Sequence, residues 1–334
     1  MIKDTLKRPL RDLRISVTDR CNFRCTYCMP ADVFGHEYHF IPRKEILSFE
    51  EIERLVKVFV KLGVKKIRIT GGEPLIRKEL EILIKKLVAI PEIQDIALTT
   101  NGYFLTEKAP LLKNAGLKRI TVSLDTLDSV VFKKISGQKV QLQKVLQGID
   151  LAKKLGFSPI KINSVIQRGV NEHEIVTLAQ FGREHGYIIR FIEYMDVGTL
   201  NDWRMEKVVS AQEIVEIISK HYPVEPLEKN YPGEVANRYR YVDGKGEFGI
   251  IASVTRPFCG DCTRVRLSAD GKIYTCLFAS TGLDIKSRLR KGATDEELFQ
   301  MLKNLWTQRE DRYSELRTSH TKVPTKVEMY HIGG

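Results

Sequence analysis

Lys66-Ile67-Arg68-Ile69-Thr70-Gly71-Gly72-Glu73-Pro74 reads as a strand that ends in a turn. Alternating isoleucines closed by a threonine favour extended backbone, and Gly-Gly-Glu-Pro cannot continue it. Upstream, a helical pattern closes on Gly63, so the unit is helix, glycine cap, strand and polar turn. The unit recurs with Gly116 before Arg119-Ile120-Thr121-Val122-Ser123, Gly156 before Ile160-Lys161-Ile162-Asn163, and Gly186 before Ile188-Ile189-Arg190-Phe191. Adding residues 14–18 and 95–100 makes six strands alternating with helices. The expected fold class is α/β, a parallel sheet with right-handed crossovers curled into a partial (β/α)6 TIM-type barrel. A flat doubly wound sheet is the alternative. The strands run out into Thr99-Thr100-Asn101, Ser123-Leu124-Asp125, Asn163-Ser164 and Glu193-Tyr194-Met195, and such strand ends carry the active site in barrels.

The rhythm breaks near residue 199. A helix over 210–221 follows, then a Pro/Gly/Tyr-rich stretch over 222–246, short strands over 249–275 and a last helix over 295–308. Residues 1–200 are therefore expected to form the barrel, and 201–334 a smaller C-terminal region that closes its mouth.

The 334 residues are 43% hydrophobic and 29% charged without low-complexity tracts, which excludes a disordered chain. Residues 1–14 lack the apolar core of a signal peptide and no later run is of membrane-spanning length, so a cytoplasmic protein with no membrane partner is expected. In that reducing compartment the six cysteines point to metal ligands or reactive thiols. The net charge of +12 suits an anionic partner. A nucleic-acid-binding protein would need a continuous basic stripe with stacking aromatics, whereas the notable cations stand singly on strands, so no nucleic-acid partner is expected. A homodimer is one of the states the sequence permits.

Cys21-x-x-x-Cys25-x-x-Cys28 falls on the loop after the first strand. A [4Fe–4S] cluster is normally held by four thiolates, so three leave one iron open to another ligand. Zinc would want a fourth ligand, for which His36 and His39 stand nearby.

In this motif, Cys21-Asn-Phe-Arg-Cys25-Thr-Tyr-Cys28, the chain resembles the radical S-adenosylmethionine (SAM) superfamily. The resemblance implies a [4Fe–4S] cluster whose open iron chelates SAM, and reductive cleavage of SAM to a 5′-deoxyadenosyl radical. Gly71-Gly72-Glu73-Pro74 resembles the superfamily's glycine motif for the SAM amino group, glycines allowing backbone carbonyls close to the ligand. By the same resemblance Gly72 and Ser123 would contact SAM, with Tyr27 and Met195 meeting its adenine through backbone groups.

Cys259-x-x-Cys262-x13-Cys276 uses every remaining cysteine. A zinc ribbon could begin this way, but its fourth ligand is absent, and a second open-iron cluster fits the count better. Arg264-Val265-Arg266 follows, with period-two alternation placing both guanidiniums on one face beside that cluster. Arg68 and Lys161 interrupt apolar strand runs, where a buried charge needs an acid such as Glu193 or a bound polyanion.

The resemblance narrows to the GTP 3′,8-cyclase family of molybdenum cofactor biosynthesis and covers nearly the whole chain. It rests on 14–30, on Arg68-Ile-Thr-Gly-Gly-Glu-Pro-Leu-Ile-Arg77, on Ser123-Leu-Asp-Thr-Leu, on Arg190-Phe-Ile-Glu-Tyr-Met-Asp-Val-Gly198, on Phe258-Cys-Gly-Asp-Cys-Thr-Arg-Val-Arg266 and on terminal Gly333-Gly334. It implies two [4Fe–4S] clusters, hydrogen abstraction from C3′ of GTP, and bonding of that carbon to guanine C8. Arg14, Arg68, Thr99, Lys161, Arg264, Val265 and Arg266 would bind GTP, and Arg264, Arg266, Gly333 and Gly334 would act in catalysis. An electron donor and the downstream cyclic pyranopterin monophosphate synthase are the implied partners. The stretch Thr199-Leu200-Asn201-Asp202-Trp203 follows the family pattern only loosely. A peptide-modifying radical SAM enzyme usually carries more cysteines after the barrel.

Overall fold

The computed structural model describes residues 2–35, 37–231, 233–317 and 326–333. Twelve strands among them form one sheet. They are β1 (Asp12–Ser16), β2 (Lys66–Thr70), β3 (Asp95–Thr100), β4 (Arg119–Ser123), β5 (Ile160–Ile166), β6 (Ile188–Glu193), β7 (Val224–Leu227), β8 (Asn237–Tyr241), β9 (Glu247–Ile251), β10 (Arg264–Leu267), β11 (Lys272–Tyr274) and β12 (Leu283–Asp284). The helices are α1 (Phe49–Leu62), α2 (Leu80–Val88), α3 (Leu105–Asn114), α4 (Ser129–Ser136), α5 (Leu142–Lys154), α6 (Ile175–His185), α7 (Ala211–His221), α8 (Lys286–Arg290), α9 (Asp295–Thr307), α10 (Tyr313–Leu316) and α11 (Met329–Ile332). Among the described residues no helix is long and apolar enough to cross a membrane.

β1 to β6 are parallel neighbours in chain order, the expected partial barrel. The sheet does not close on itself. The C-terminal region joins the wall at both ends: β10 adds to β1 in parallel and carries β11 and β12, while β9 adds to β6 in parallel and carries β8 and β7.

β2, β3 and β4 match the sequence reading to the residue, and α7 and α9 start behind capping boxes at Ser210/Glu213 and Thr294/Glu297. β1 sits two residues earlier than expected because the backbone at 18–20 leaves the strand to pack on the Gly71-Gly72 turn. β7 and β8 lie inside the stretch expected to be irregular. Pairing to β9 makes them strands, and Pro226 is tolerated because β7 is the outermost strand.

Alternate residues face the helices and the lumen, as pleating requires. Leu13, Ile15, Ile67, Ile69, Ile120, Val122, Ile160 and Ile162 are buried in the apolar layer under the helices. The other set holds the charges: Arg14 is level with Arg266 on one side and Arg68 on the other, and Asn163 lies level with Ser123 and Arg190.

Candidate active site

The loop after β1 is fixed by the turn after β2. Gly72 N–H donates to Thr18 O and Glu73 N–H to Arg20 O, both at 2.8 Å. A Cβ on Gly72 would overlap the Arg20 carbonyl. The glycine expected for ligand approach is thus already required by packing of the cysteine loop. Beneath it the fully buried Glu73 carboxylate accepts from Leu75 N, Thr100 Oγ1 and Asn101 N, and burial pushes its pKa up to about 7 despite those donors.

Within the loop, Cys25 O accepts from both Cys28 N and Met29 N, a turn that brings the cysteines round to one side. All six cysteines are free, half-buried and on the wall of a single cavity of about 340 Å³. Burial pushes the Cys21 thiol up to about 12, and Cys25 lies well above its usual range through burial and then the neighbouring Cys21 and Cys28. Three mutually repelling thiolates need a polycationic centre between them, so this donor set fits an iron–sulfur cluster. His39 is exposed and off the cavity wall; His36 lies outside the described residues.

The second triplet opens with a turn in which Cys262 N donates to Cys259 O at 3.1 Å, and Cys276 joins it from just beyond β11. Burial alone would push Cys262 up, but the Arg264 and Arg309 guanidiniums outweigh it and bring the thiol down to about 6. Their Nη2 atoms lie 3.4 Å and 3.2 Å from its sulfur. Cys276, with burial dominant, is pushed up to about 11.

Between the triplets lie the cations. Among the described residues Arg14, Arg68, Lys161, Arg190, Arg264 and Arg266 have no carboxylate within ion-pair distance. Arg68 donates instead to the hydroxyls of Thr99 at 3.0 Å and Thr121 at 3.2 Å. Glu193, the acid considered as a partner, spends its carboxylate on Ala211 N, Val254 N, Thr255 N and Thr255 Oγ1. Burial lowers Arg14, and Arg266, Arg264 and Arg68 lower it further. Burial and then Arg264 hold Arg266 down at about 10; burial and then Arg68 do the same for Arg190.

Tyr27, Gly72, Thr99, Ser123, Met195, Arg14, Arg68, Arg264 and Arg266 all line the cavity. Tyr27 is held by its hydroxyl on Asp125 at 2.7 Å. Val265 points the other way into the apolar core, leaving only its backbone for a ligand. Lys161 lies deeper toward the strand starts, and burial, then Arg190 and Arg119, push it down to about 7. Gly333 accepts a hydrogen bond from Arg266 Nη1 through its carbonyl. Its φ of +73° and the overlap a Cβ would make with the Thr70 methyl both require glycine. Gly334 lies outside the described residues.

The segment ahead of Gly333 is pinned across the mouth. Lys326 Nζ meets Asp196 at 2.6 Å, Glu328 accepts from Thr199 N at 2.8 Å, and Tyr330 meets Tyr38 hydroxyl to hydroxyl at 2.7 Å. Sequence reasoning did not single out Asp196, Arg190 or Arg309. Arg190 carried a usable signal, a cation inside the apolar run Ile188-Ile189-Arg190-Phe191; Arg309 carried none.

Residues 15–182 match the radical SAM superfamily, and residues 187–315 match the Molybdenum Cofactor Synthesis C family. The GTP 3′,8-cyclase of Acidothermus cellulolyticus is 52% identical over an alignment covering 100% of this chain and 99% of that protein. The chain belongs to the GTP 3′,8-cyclase family. The GTP 3′,8-cyclase of Staphylococcus saprophyticus is 49% identical, again over 100% of this chain and 99% of its own. Among solved structures, Streptococcus suis SuiB bound to S-adenosylmethionine superimposes with a TM-score of 0.63 at 16% identity, over 95% of this chain and 72% of that one. SuiB bound to precursor peptide SuiA gives 0.60 at 18%, over 94% and 69%. These two share the fold. Radical SAM membership makes this chain an enzyme that uses a [4Fe–4S] cluster and SAM, and Cys21, Cys25 and Cys28 are the thiols that fit that cluster.

Lys161 offers a readout of whether an anion enters the lumen. Held at about 7, the Lys161 side chain is mostly the neutral amine at pH 8, and a polyanion beside it raises that pKa. Binding of inorganic tripolyphosphate at pH 8 is therefore expected to take up about one proton more in the parent than in a variant without the Lys161 amine. Titration calorimetry in two buffers of different ionisation enthalpy reads this, and Lys161→Met loses the uptake.

Proposed function

We propose that this chain converts GTP to (8S)-3′,8-cyclo-7,8-dihydroguanosine 5′-triphosphate, the first step of molybdenum cofactor biosynthesis. The observation that carries the reading is the set of five arginines without carboxylate partners, Arg14, Arg68, Arg190, Arg264 and Arg266, that share one cavity wall with the two cysteine triplets. A triphosphate offsets several of them at once, which few other metabolites do.

Reductive cleavage of SAM at the first cluster supplies the 5′-deoxyadenosyl radical that removes hydrogen from the ribose C3′. C3′ then bonds to guanine C8, and one electron and one proton complete the dihydro product. Residues 1–200 provide the SAM pocket: Gly72 and Ser123 at its amino acid and ribose side, Tyr27 and Met195 at its adenine. Arg14, Arg68, Thr99, Lys161 and Arg190 hold the phosphates and ribose in the lumen. In 201–334, Cys259, Cys262 and Cys276 would hold a second [4Fe–4S] cluster, which would supply a Lewis-acidic iron for the guanine. Arg264 and Arg266, with the Val265 backbone between them, orient the purine. Gly333 and Gly334 close the site, Gly333 against Arg266. The enzyme works in the cytoplasm with an electron donor, hands its product to a cyclic pyranopterin monophosphate synthase, and can pair as a homodimer.

The test is anaerobic reconstitution, followed by measurement of 5′-deoxyadenosine with SAM and a strong reductant, with and without GTP. Release that rises at least about tenfold with GTP, alongside an equal amount of cyclised nucleotide, is expected. SAM cleavage indifferent to GTP would leave the superfamily standing and remove the substrate.

A further inference from the structure

Arg309 differs from the lumen arginines in having its guanidinium used up by protein. Nε donates to Asp311 at 3.0 Å, and Nη1 to Cys262 O at 2.8 Å and Asp4 at 3.3 Å. Nη2 donates to Cys262 Sγ at 3.2 Å. Its Cζ also lies 4.7 Å from the Trp306 ring centre. Little of the fork is left for a substrate.

The groups behind it form a buried cluster. The side chains of Asp4, Arg8 and Arg309 are 0–2% exposed, with Arg8 Nε on Asp4 at 2.6 Å. Arg8 Nη1 donates to Cys259 O at 2.7 Å and to Asp311 O at 2.8 Å. The backbone carbonyls of two of the second triplet's cysteines are thus each held by a different guanidinium. Trp306 Nε1 donates to Arg8 O at 3.1 Å and ties the N-terminal segment to α9. Asp4 and the partly exposed Asp311 take Nη1 and Nε of Arg309, which leaves the Nη2 end of the guanidinium without a carboxylate. The sulfur of Cys262 is the electron-rich atom at the end of that chain.

We infer that Arg309, backed by Asp4 and Arg8, is a positioning residue that sets the reduction potential of the second cluster through its N–H···S contact with Cys262. This rests on the second-cluster reading. Charge and hydrogen bonds at cluster sulfurs are principal determinants of cluster potentials, and a fixed cation favours the more negative, reduced state. Arg309 therefore raises the potential, and Asp4, which offsets its charge, lowers it. The two residues act with opposite sign, whereas a structural support would show no such opposition.

The experiment uses the full chain carrying Cys21→Ala, Cys25→Ala and Cys28→Ala, so that only the second cluster contributes, reconstituted without oxygen. Midpoint potentials are read by redox titration with electron paramagnetic resonance, and iron is counted in parallel. Arg309→Gln is expected to lower the midpoint, changing the reduced-to-oxidised ratio at fixed poise by about tenfold. Asp4→Asn is expected to raise it. Arg309→Lys, which keeps the charge and guards against a variant that fails to fold, is expected to fall between the parent and Arg309→Gln. Unchanged midpoints with four irons retained overturn the inference, as does loss of iron on Arg309→Gln with no shift in Arg309→Lys. A parent that binds no iron removes the second cluster itself, and is distinguishable by the iron count alone.

Discussion

Cys25→Ser is expected to bring 5′-deoxyadenosine formation to background and to halve the iron bound per chain. A serine hydroxyl does not replace a thiolate at iron, and with two remaining thiolates the cluster has too few ligands to persist. The fold survives, because the Cys25 carbonyl that accepts from Cys28 N and Met29 N is backbone and unaltered. Anaerobic assay with iron and sulfide determination checks the chemistry, and circular dichroism checks the fold. Nucleotide product is lost to the same extent. Cys259→Ser is the informative contrast: SAM cleavage persists, while cyclised product no longer accompanies it.

The second large effect belongs to Gly333→Ala. At φ +73° and ψ +113° the position costs a residue with Cβ about 1–3 kcal/mol, before the overlap with the Thr70 methyl is counted. The tail is displaced in most molecules and the Arg266 guanidinium loses its carbonyl partner. Turnover to product is expected to fall by about 10- to 100-fold, each tenfold being about 1.4 kcal/mol. The melting temperature and iron content should barely move, since the residue adds little to the core. Thr70→Ser removes the overlapping methyl but not the torsional cost, so the double variant Gly333→Ala/Thr70→Ser should recover part of the loss. Steady-state kinetics at saturating GTP read both. A single variant with full activity would detach the tail from catalysis.

The barrel was legible because its signals are local. β-branched runs behind glycine caps marked β2, β4, β5 and β6, and polar strand ends marked the mouth. The two cysteine triplets were legible by spacing and count. What stayed hidden depends on partners distant in the chain. Val224-Glu225-Pro226-Leu227 has little strand character until β8 lies beside it. Gly72 looked like a ligand-facing glycine, and only the fold shows the Arg20 carbonyl against it. The charge clusters around Asp196 and Arg309 join residues up to 305 positions apart, and no window of sequence displays that. Arg190 is different: its isolation in an apolar strand was the same clue that Arg68 and Lys161 offered.

The pairing of β1 with β10 bears on how the chain reaches this shape. Leu13 finds its neighbour Val265 only after some 250 intervening residues have been made, as the register of Asp12 to Ile15 on Arg264 to Leu267 dictates. During synthesis the first strand can acquire one flank from β2 early, but its other flank stays bare until the second cysteine triplet has left the ribosome. Such unsatisfied backbone on a nascent chain invites pairing with other chains, and contacts so remote in sequence form slowly. The same hydrogen bonds that unite the two halves of the wall thus make the nascent protein dependent on its last third, and expose it to aggregation until that third arrives.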